Sequence, residues 1–182
     1  KKHGLTLNEI KKDGYKIAGK INIVPKNSSE FETTKSIGNG IILFAKIFRK
    51  LKPDINLILG DRDEMFASAT AAYHMNIPNA HIHGGDKSGG LDEYTRHAIT
   101  KISNIHFAAT KKSANRILRM GENSDFVFHT GSPSIDEVLK NKITQKSELE
   151  RKYKFKITGD EILLLQHPVT TELDKTRIQI NE

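Results

Sequence analysis

INLILGDRDEMFASATAAYHMNIPNAHIH, residues 55–83, is the stretch whose reading decides the fold. It opens with INLIL (55–59), a compact apolar run typical of a strand buried on both faces. Gly60 ends that run, and the alanine-rich stretch from Glu64 to Met75 reads as helix. The Asn76-Ile77-Pro78 turn leads into a second short strand, Ala80 to His83. Strand, helix and strand in this order describe a crossover, the connection that parallel strands require.

The same alternation extends both ways. Upstream, Ile37, Ile41, Phe44, Ala45, Phe48 and Leu51 recur at helical spacing between Glu30 and Lys52. The Asn27-Ser28-Ser29 cluster offers caps for that helix, and Pro53 stops it. INIV (21–24) before Pro25 reads as a short strand. Downstream come a helix over Asp92–Ser103, a strand over Ile105–Ala109, and a helix from the Thr110 cap to Met120, closed by Gly121. FVFHT (126–130) is a further strand, and Ser132-Pro133 supplies a cap and first-turn proline for a helix to Leu139. EILLLQ (161–166) is the last apolar strand.

This pattern predicts an α/β fold, a Rossmann-like doubly wound parallel sheet with helices on both faces. Residues 1–140 read as one such domain, 141–160 as a charged linker or helix, and 161–182 as the start of a second domain. A doubly wound domain ordinarily opens with a strand and a glycine-rich turn. This chain opens on polar residues instead, so it reads as truncated at both ends.

Composition narrows the function. The absence of cysteine excludes disulfides, thiolate metal sites and cysteine nucleophiles, and fits a reducing, cytoplasmic setting. No apolar run approaches the roughly 20 residues that span a bilayer, so no membrane partner is expected. The net charge of +7 comes from dispersed lysines without interleaved aromatics, which speaks against nucleic acid.

Ligands of open α/β sheets sit at the carboxyl ends of the strands. Three constellations fall there: Gly60-Asp61-Arg62, the run HIHGGDKSGGLDEYTRH (81–97), and Gln166-His167-Pro168. His81 and His83 form an HxH pair that could point one way and hold a divalent metal, with His129 or His167 completing the set. The paired glycines before Asp92 could cradle a phosphate, but the spacing is neither GxGxxG nor a P-loop, and Asp86 and Asp92 would repel an anion. Asp92 could equally cap its helix and pair with Arg96 four residues on. In a third reading, Asp61 lies partly desolvated at a cleft floor beside Arg62, and Asp61 and Asp92 divide acid and base roles.

GDRDEMFASATAA (60–72), HIHGGDKSGGLDEYTRHAITKISNIHF (81–107), TGSPSIDEV (130–138) and QHPVTTE (166–172) together resemble the UDP-N-acetylglucosamine 2-epimerases. The likeness is to the hydrolysing branch that feeds sialic- and legionaminic-acid pathways. It implies the N-terminal half of a two-domain, glycosyltransferase-B-like fold. It also implies a reaction in which the C2 proton is removed, UDP is expelled, and water adds to give N-acetylmannosamine. By the same resemblance Asp61 and Asp92 are the acid/base carboxylates, with His83 and His167 joining them. Arg62, Glu64, Gly84, Gly85, Asp86, Arg96 and His167 meet the UDP-sugar, and Arg96 orients Asp92 or touches the substrate. No cofactor and no metal are implied, and self-association as a dimer or tetramer is.

Two features depart from the family. His83 stands where many relatives carry a glutamate in HIEGG, which points to a different UDP-sugar such as a diacetamido-trideoxyhexose. The opening glycine-threonine-arginine loop and most of the second half are not in this sequence, so the 182-residue chain by itself is expected to be inactive. Other readings are a non-hydrolysing epimerase, an HxH metal hydrolase and a non-catalytic sugar-nucleotide binding fragment.

Overall fold

The computed structural model describes residues 6–27, 29–140, 143–166 and 175–181. It divides the chain into two compact units, Lys1–Ser132 and Pro133–Glu182.

In the first unit, helix α1 (Thr6–Lys12) precedes a long helix α2 (Glu30–Leu51), then β1 (Asn56–Leu59), α3 (Asp63–His74), β2 (Asn79–Ile82) and α4 (Gly90–Lys101). Strand β3 (Ile105–Ala108), α5 (Lys111–Arg119), a short 3-10 turn (Ser124–Phe126) and β4 (Val127–His129) complete it. The four strands lie in the order β1-β2-β3-β4, all parallel, as the crossovers at 55–130 require. Boundaries follow local chemistry. Ser29 caps α2 by accepting a bond from the Glu32 amide, and Lys52 closes it in the left-handed region at φ 49°. The Thr110 hydroxyl caps α5 by accepting from the Ser113 amide.

Successive right-handed crossovers along one direction place their helices on one face of the sheet. Burial agrees. Ile58, His81, His106 and Ala108 are almost fully enclosed. On the opposite face Leu57 is 63% exposed and Phe128 44%. The helices that follow β1, β2 and β3 lie on the enclosed face, as right-handed crossovers in one direction require. On that face Ile58, Ala69 and Ile99 form a core with Met65, Phe66 and Ile102 packed against it. Full burial of each isoleucine side chain contributes roughly 1.5–3 kcal/mol. A second cluster, Phe48, Ala71 and Ala72, joins α2 to α3. That contact is close because Gly40 faces Ala67: a Cβ built on Gly40 would lie 3.0 Å from the Ala67 Cβ.

Two expected strands do not form. INIV (21–24) lies in no sheet, with Ile21 and Ile23 half-buried and Asn22 and Val24 exposed. Its Ile23 carbonyl accepts a bond from Ser36 of α2, so it packs on a helix where a strand neighbour was expected. EILLLQ (161–166) is neither strand nor buried: Ile162 and Leu163 are 92% and 93% exposed. Alternation and apolarity mark a segment that could pair. Pairing also needs a neighbour with free backbone groups, which apolarity alone does not supply.

The second unit contains α6 (Pro133–Lys140), α7 (Lys146–Tyr153) and α8 (Thr176–Asn181). Helix α7 falls inside the charged stretch expected as linker or helix. No helix among the described residues is long and apolar enough to cross a membrane.

Candidate functional site

All four strands point their carboxyl ends at one edge of the sheet, and the loops there hold most of the candidate residues. His167 lies outside the described residues. The strand-end geometry begins with His81. Its ring is fully buried, its Nε2 sits 2.8 Å from the Gly60 carbonyl, and its Nδ1 sits 3.2 Å from the Thr100 hydroxyl. Burial pushes its pKa down to about 4, partly opposed by the bond to Gly60. A neutral His81 therefore ties the end of β2 to the end of β1 and to α4.

His83 is not its companion. Strand β2 stops at Ile82, and His83 takes the left-handed conformation at φ 66° in the following turn. Its Nδ1 lies 3.2 Å from Asp86 Oδ2, and its Nε2 lies 3.1 Å from the Ser132 hydroxyl. The expected same-way HxH pair does not exist, because the period-two alternation of a strand ends before its second histidine. Among the described residues no three histidines or carboxylates cluster as a metal site.

Asp61 follows Gly60 at the end of β1. Its carboxylate, 17% exposed, forms a short ion pair with the Arg96 guanidinium, itself only 11% exposed. Arg96 also donates to the Asp86 carbonyl (2.9 Å) and the Ser88 hydroxyl (3.0 Å). The arginine expected beside Asp61, Arg62, turns away: it is 78% exposed and holds Glu64 at 2.6 Å. Arg96, expected to orient Asp92 or to touch the substrate, pairs with Asp61. The reason is desolvation. A guanidinium this buried needs a carboxylate that is also shielded from water, and Asp92, exposed in the first turn of α4, is not.

Nor does Asp92 cap its helix. Gly89 is the cap residue, and the Glu93 carboxylate accepts from the backbone amides of Gly89 (2.6 Å) and Ser88 (3.0 Å). The Gly89 bond, with the one to Ser88, holds Glu93 below the usual carboxylate range. Asp92 shares a helix face with Arg96, one turn nearer the N-terminus. Its charge reaches Asp63, whose carboxyl is pushed above its ordinary range by partial burial, then by Glu64 and Asp92, against Arg62.

The loop at Gly84, Gly85 and Asp86 is clamped from α5. The Arg116 guanidinium donates to the Gly85 carbonyl and the Ser113 hydroxyl to Asp86 Oδ1, both in short bonds. Gly85 has φ 73°, and a Cβ there would lie 2.5 Å from the Ser113 carbonyl oxygen and 2.7 Å from Ile117 Cγ1. Gly85→Ala is therefore expected to lower stability by about 2 kcal/mol, combining the left-handed penalty with overpacking. A urea midpoint equal to that of the native chain would contradict this.

Two hollows flank these residues. One of about 600 Å³ is lined by Arg62, Asp63 and Glu64 together with Ile21, Ile23 and Ser36. The other, about 480 Å³, is lined by Lys87, Arg96, Lys112 and Arg116, with Asp86 and Ser113, and favours an anion. The sequence reading missed Ser113, Arg116 and Ser132. TGSPSIDEV contains Ser132, and only the fold shows that this hydroxyl reaches His83, from past the end of β4 with β3 lying between β4 and β2.

A sequence model described as UDP-N-acetylglucosamine 2-epimerase matches residues 2–181. A Legionella pneumophila protein, the hydrolysing UDP-N,N'-diacetylbacillosamine 2-epimerase, is 42% identical over 97% of this chain and 47% of its own length. The hydrolysing GDP/UDP-N,N'-diacetylbacillosamine 2-epimerase of Campylobacter jejuni is 34% identical over 97% of this chain and 46% of its own. The crystal structure of a Neisseria meningitidis UDP-GlcNAc 2-epimerase bound to UDP-GlcNAc superposes with a TM-score of 0.65 at 28% identity, covering 81% of this chain and 42% of that one. The chain thus spans about half the length of the curated relatives it matches.

Proposed function

We infer the chemistry of this site from the chain's family: it belongs to the UDP-N-acetylglucosamine 2-epimerases. The full-length protein that carries it is read as a hydrolysing UDP-sugar 2-epimerase acting on a UDP-diacetamido-trideoxyhexose. The two relatives named for diacetylbacillosamine are 42% and 34% identical, whereas the UDP-N-acetylglucosamine 2-epimerase of Neisseria meningitidis serogroup B is 30% identical. UDP-N-acetylglucosamine, the first expectation from sequence, becomes the second reading.

The observation that carries the chemistry is the shielded Asp61–Arg96 pair at the end of β1, one helical turn from Asp92. A base takes the C2 proton while the C1–oxygen bond to UDP breaks anti to it. The electron pair of the C2–H bond forms the C1=C2 double bond, and UDP leaves with the electrons of the broken bond. Water then gives its hydroxyl to C1, and a proton returns to C2 from the opposite face. The net reaction consumes one water and yields UDP and the free 2-epimer. Asp61 and Asp92 are assigned the two proton transfers, each positioned group being worth roughly 10²–10⁴ in rate. Arg96, with the cationic hollow beside it, is assigned to the UDP-sugar. By the same premise the protein assembles as a dimer or tetramer.

NMR of the products made from each UDP-sugar tests this. The expected result is free sugar plus UDP, with kcat/KM at least about tenfold higher for the diacetamido substrate, the discrimination one added or missing group can give. Accumulation of a UDP-linked epimer would overturn the hydrolysing outcome, and loss of activity to a chelator would favour a metal hydrolase. The 182-residue chain by itself is expected to release no UDP.

A further inference from the structure

His83 is held from both ring nitrogens by groups of unlike chemistry. Asp86 stands at Nδ1 (3.2 Å) and Ser132 at Nε2 (3.1 Å). Asp86 offers Nδ1 only negative charge and acceptor oxygens at ion-pair distance, which favours the proton of a neutral ring on Nδ1. Nε2 is then a lone pair, and the Ser132 hydroxyl donates to it. This is the less populated tautomer of free histidine in water, so its presence has to be imposed.

The surroundings are built to impose it. Asp86 is itself fixed on its other oxygen by Ser113, whose hydroxyl lies 2.7 Å from that of the α5 cap Thr110. The Asp86 carbonyl is gripped by Arg96, and the preceding carbonyl by Arg116. The His83 amide donates to the Phe107 carbonyl at 3.0 Å, which pins the turn to β3. A non-glycine residue at φ 66° is strained, and such strain persists where the surroundings over-determine it. Both His83 and Asp86 are 27% exposed, enough for a substrate to reach the ring.

We propose that Asp86 is a positioning residue that locks His83 as the Nδ1-protonated tautomer, with its Nε2 lone pair presented at Ser132 as a proton acceptor. Its relevance to turnover rests on the epimerase reading; the tautomer does not. Asp86, expected from sequence to meet the UDP-sugar, acts through His83, and Ser132 keeps the Nε2 position occupied until substrate replaces its hydroxyl.

Long-range proton–nitrogen NMR of the histidine rings in this chain, at a pH where imidazoles are neutral, tests the proposal. The native chain and Ser113→Ala are expected to show His83 protonated on Nδ1. Asp86→Asn is expected to switch it to Nε2, because the amide NH2 now donates to Nδ1. A native His83 protonated on Nε2, or no change in a folded Asp86→Asn, would overturn the proposal. If Asp86→Asn does not fold, the native spectrum alone decides. In the full-length enzyme Asp86→Asn is expected to lower kcat by about 10²-fold with KM little changed. A raised KM with native kcat would make Asp86 a substrate contact and overturn the assignment. If the native ring carries its proton on Nδ1 while no UDP-sugar turns over, the epimerase reading falls and the tautomer assignment stands.

Discussion

Asp61→Asn in the full-length protein is expected to lower kcat by about 10²–10⁴-fold, a loss of roughly 3–5 kcal/mol of transition-state stabilisation. Asparagine keeps the shape and one acceptor for Arg96, so the geometry at the end of β1 changes little. It loses the charge and the capacity to exchange a proton. Because Arg96 is only 11% exposed, its guanidinium is left without a counter-charge in a shielded place. The variant is therefore also expected to unfold at lower urea, and kcat must be read where circular dichroism reports a folded protein. Affinity for UDP is expected to change by less than about threefold, since the substitution removes no cation from the hollow around Lys87 and Arg116. Native kcat in a folded Asp61→Asn protein would remove Asp61 from the chemistry.

The second large effect is acid lability. The unfolded chain takes up a proton on His81 near 6.5, the folded chain only near 4, chiefly because the ring is buried. Between those values the unfolded state binds more protons, so stability falls as pH drops. Above 6.5 both states are neutral and this contribution to stability is fully present. Across the window His81 contributes a loss of about 3 kcal/mol. His106 acts in the same direction, since burial lowers its pKa against the pull of Glu122 at 3.4 Å. Urea midpoints of the 182-residue chain measured from neutral pH down to 4 should fall steeply below 6.5. In His81→Gln, which keeps a donor for Gly60 and cannot titrate, the fall should be shallower. A flat profile in the native chain would contradict the buried neutral His81.

The sheet was legible because each strand from β1 to β4 is short, apolar and punctuated: Gly60, Pro78, Thr110 and Gly131 mark turns that no helix or strand continues through. INIV and EILLLQ misled for one shared reason. Apolarity says that a segment can be buried, whereas a strand also needs an adjacent backbone, and that lies elsewhere in the chain. The site divides the same way. Sequence placed Asp61, His83 and Asp86 at strand ends and Arg96 on the helix that follows, since both are local properties. It could not pair them. Adjacency suggested Arg62 with Asp61 and helical spacing suggested Arg96 with Asp92. The actual partner of Asp61 is 35 residues away and is chosen by shared burial. His83 illustrates the limit most sharply, because one residue of strand length separates a paired HxH motif from a turn residue facing Asp86 and Ser132.

Turnover of a UDP-diacetamido-trideoxyhexose by the full-length protein in deuterium oxide, followed by NMR, addresses most directly whether acids from separate motifs serve one sugar. The expected product is the free sugar, inverted at C2 and carrying deuterium there, with one UDP released. Asp61→Asn and Asp92→Asn should each suppress both UDP release and the deuterium label. Protium retained at C2 in the native product, or native turnover in either folded variant, would contradict a site shared between the end of β1 and the first turn of α4.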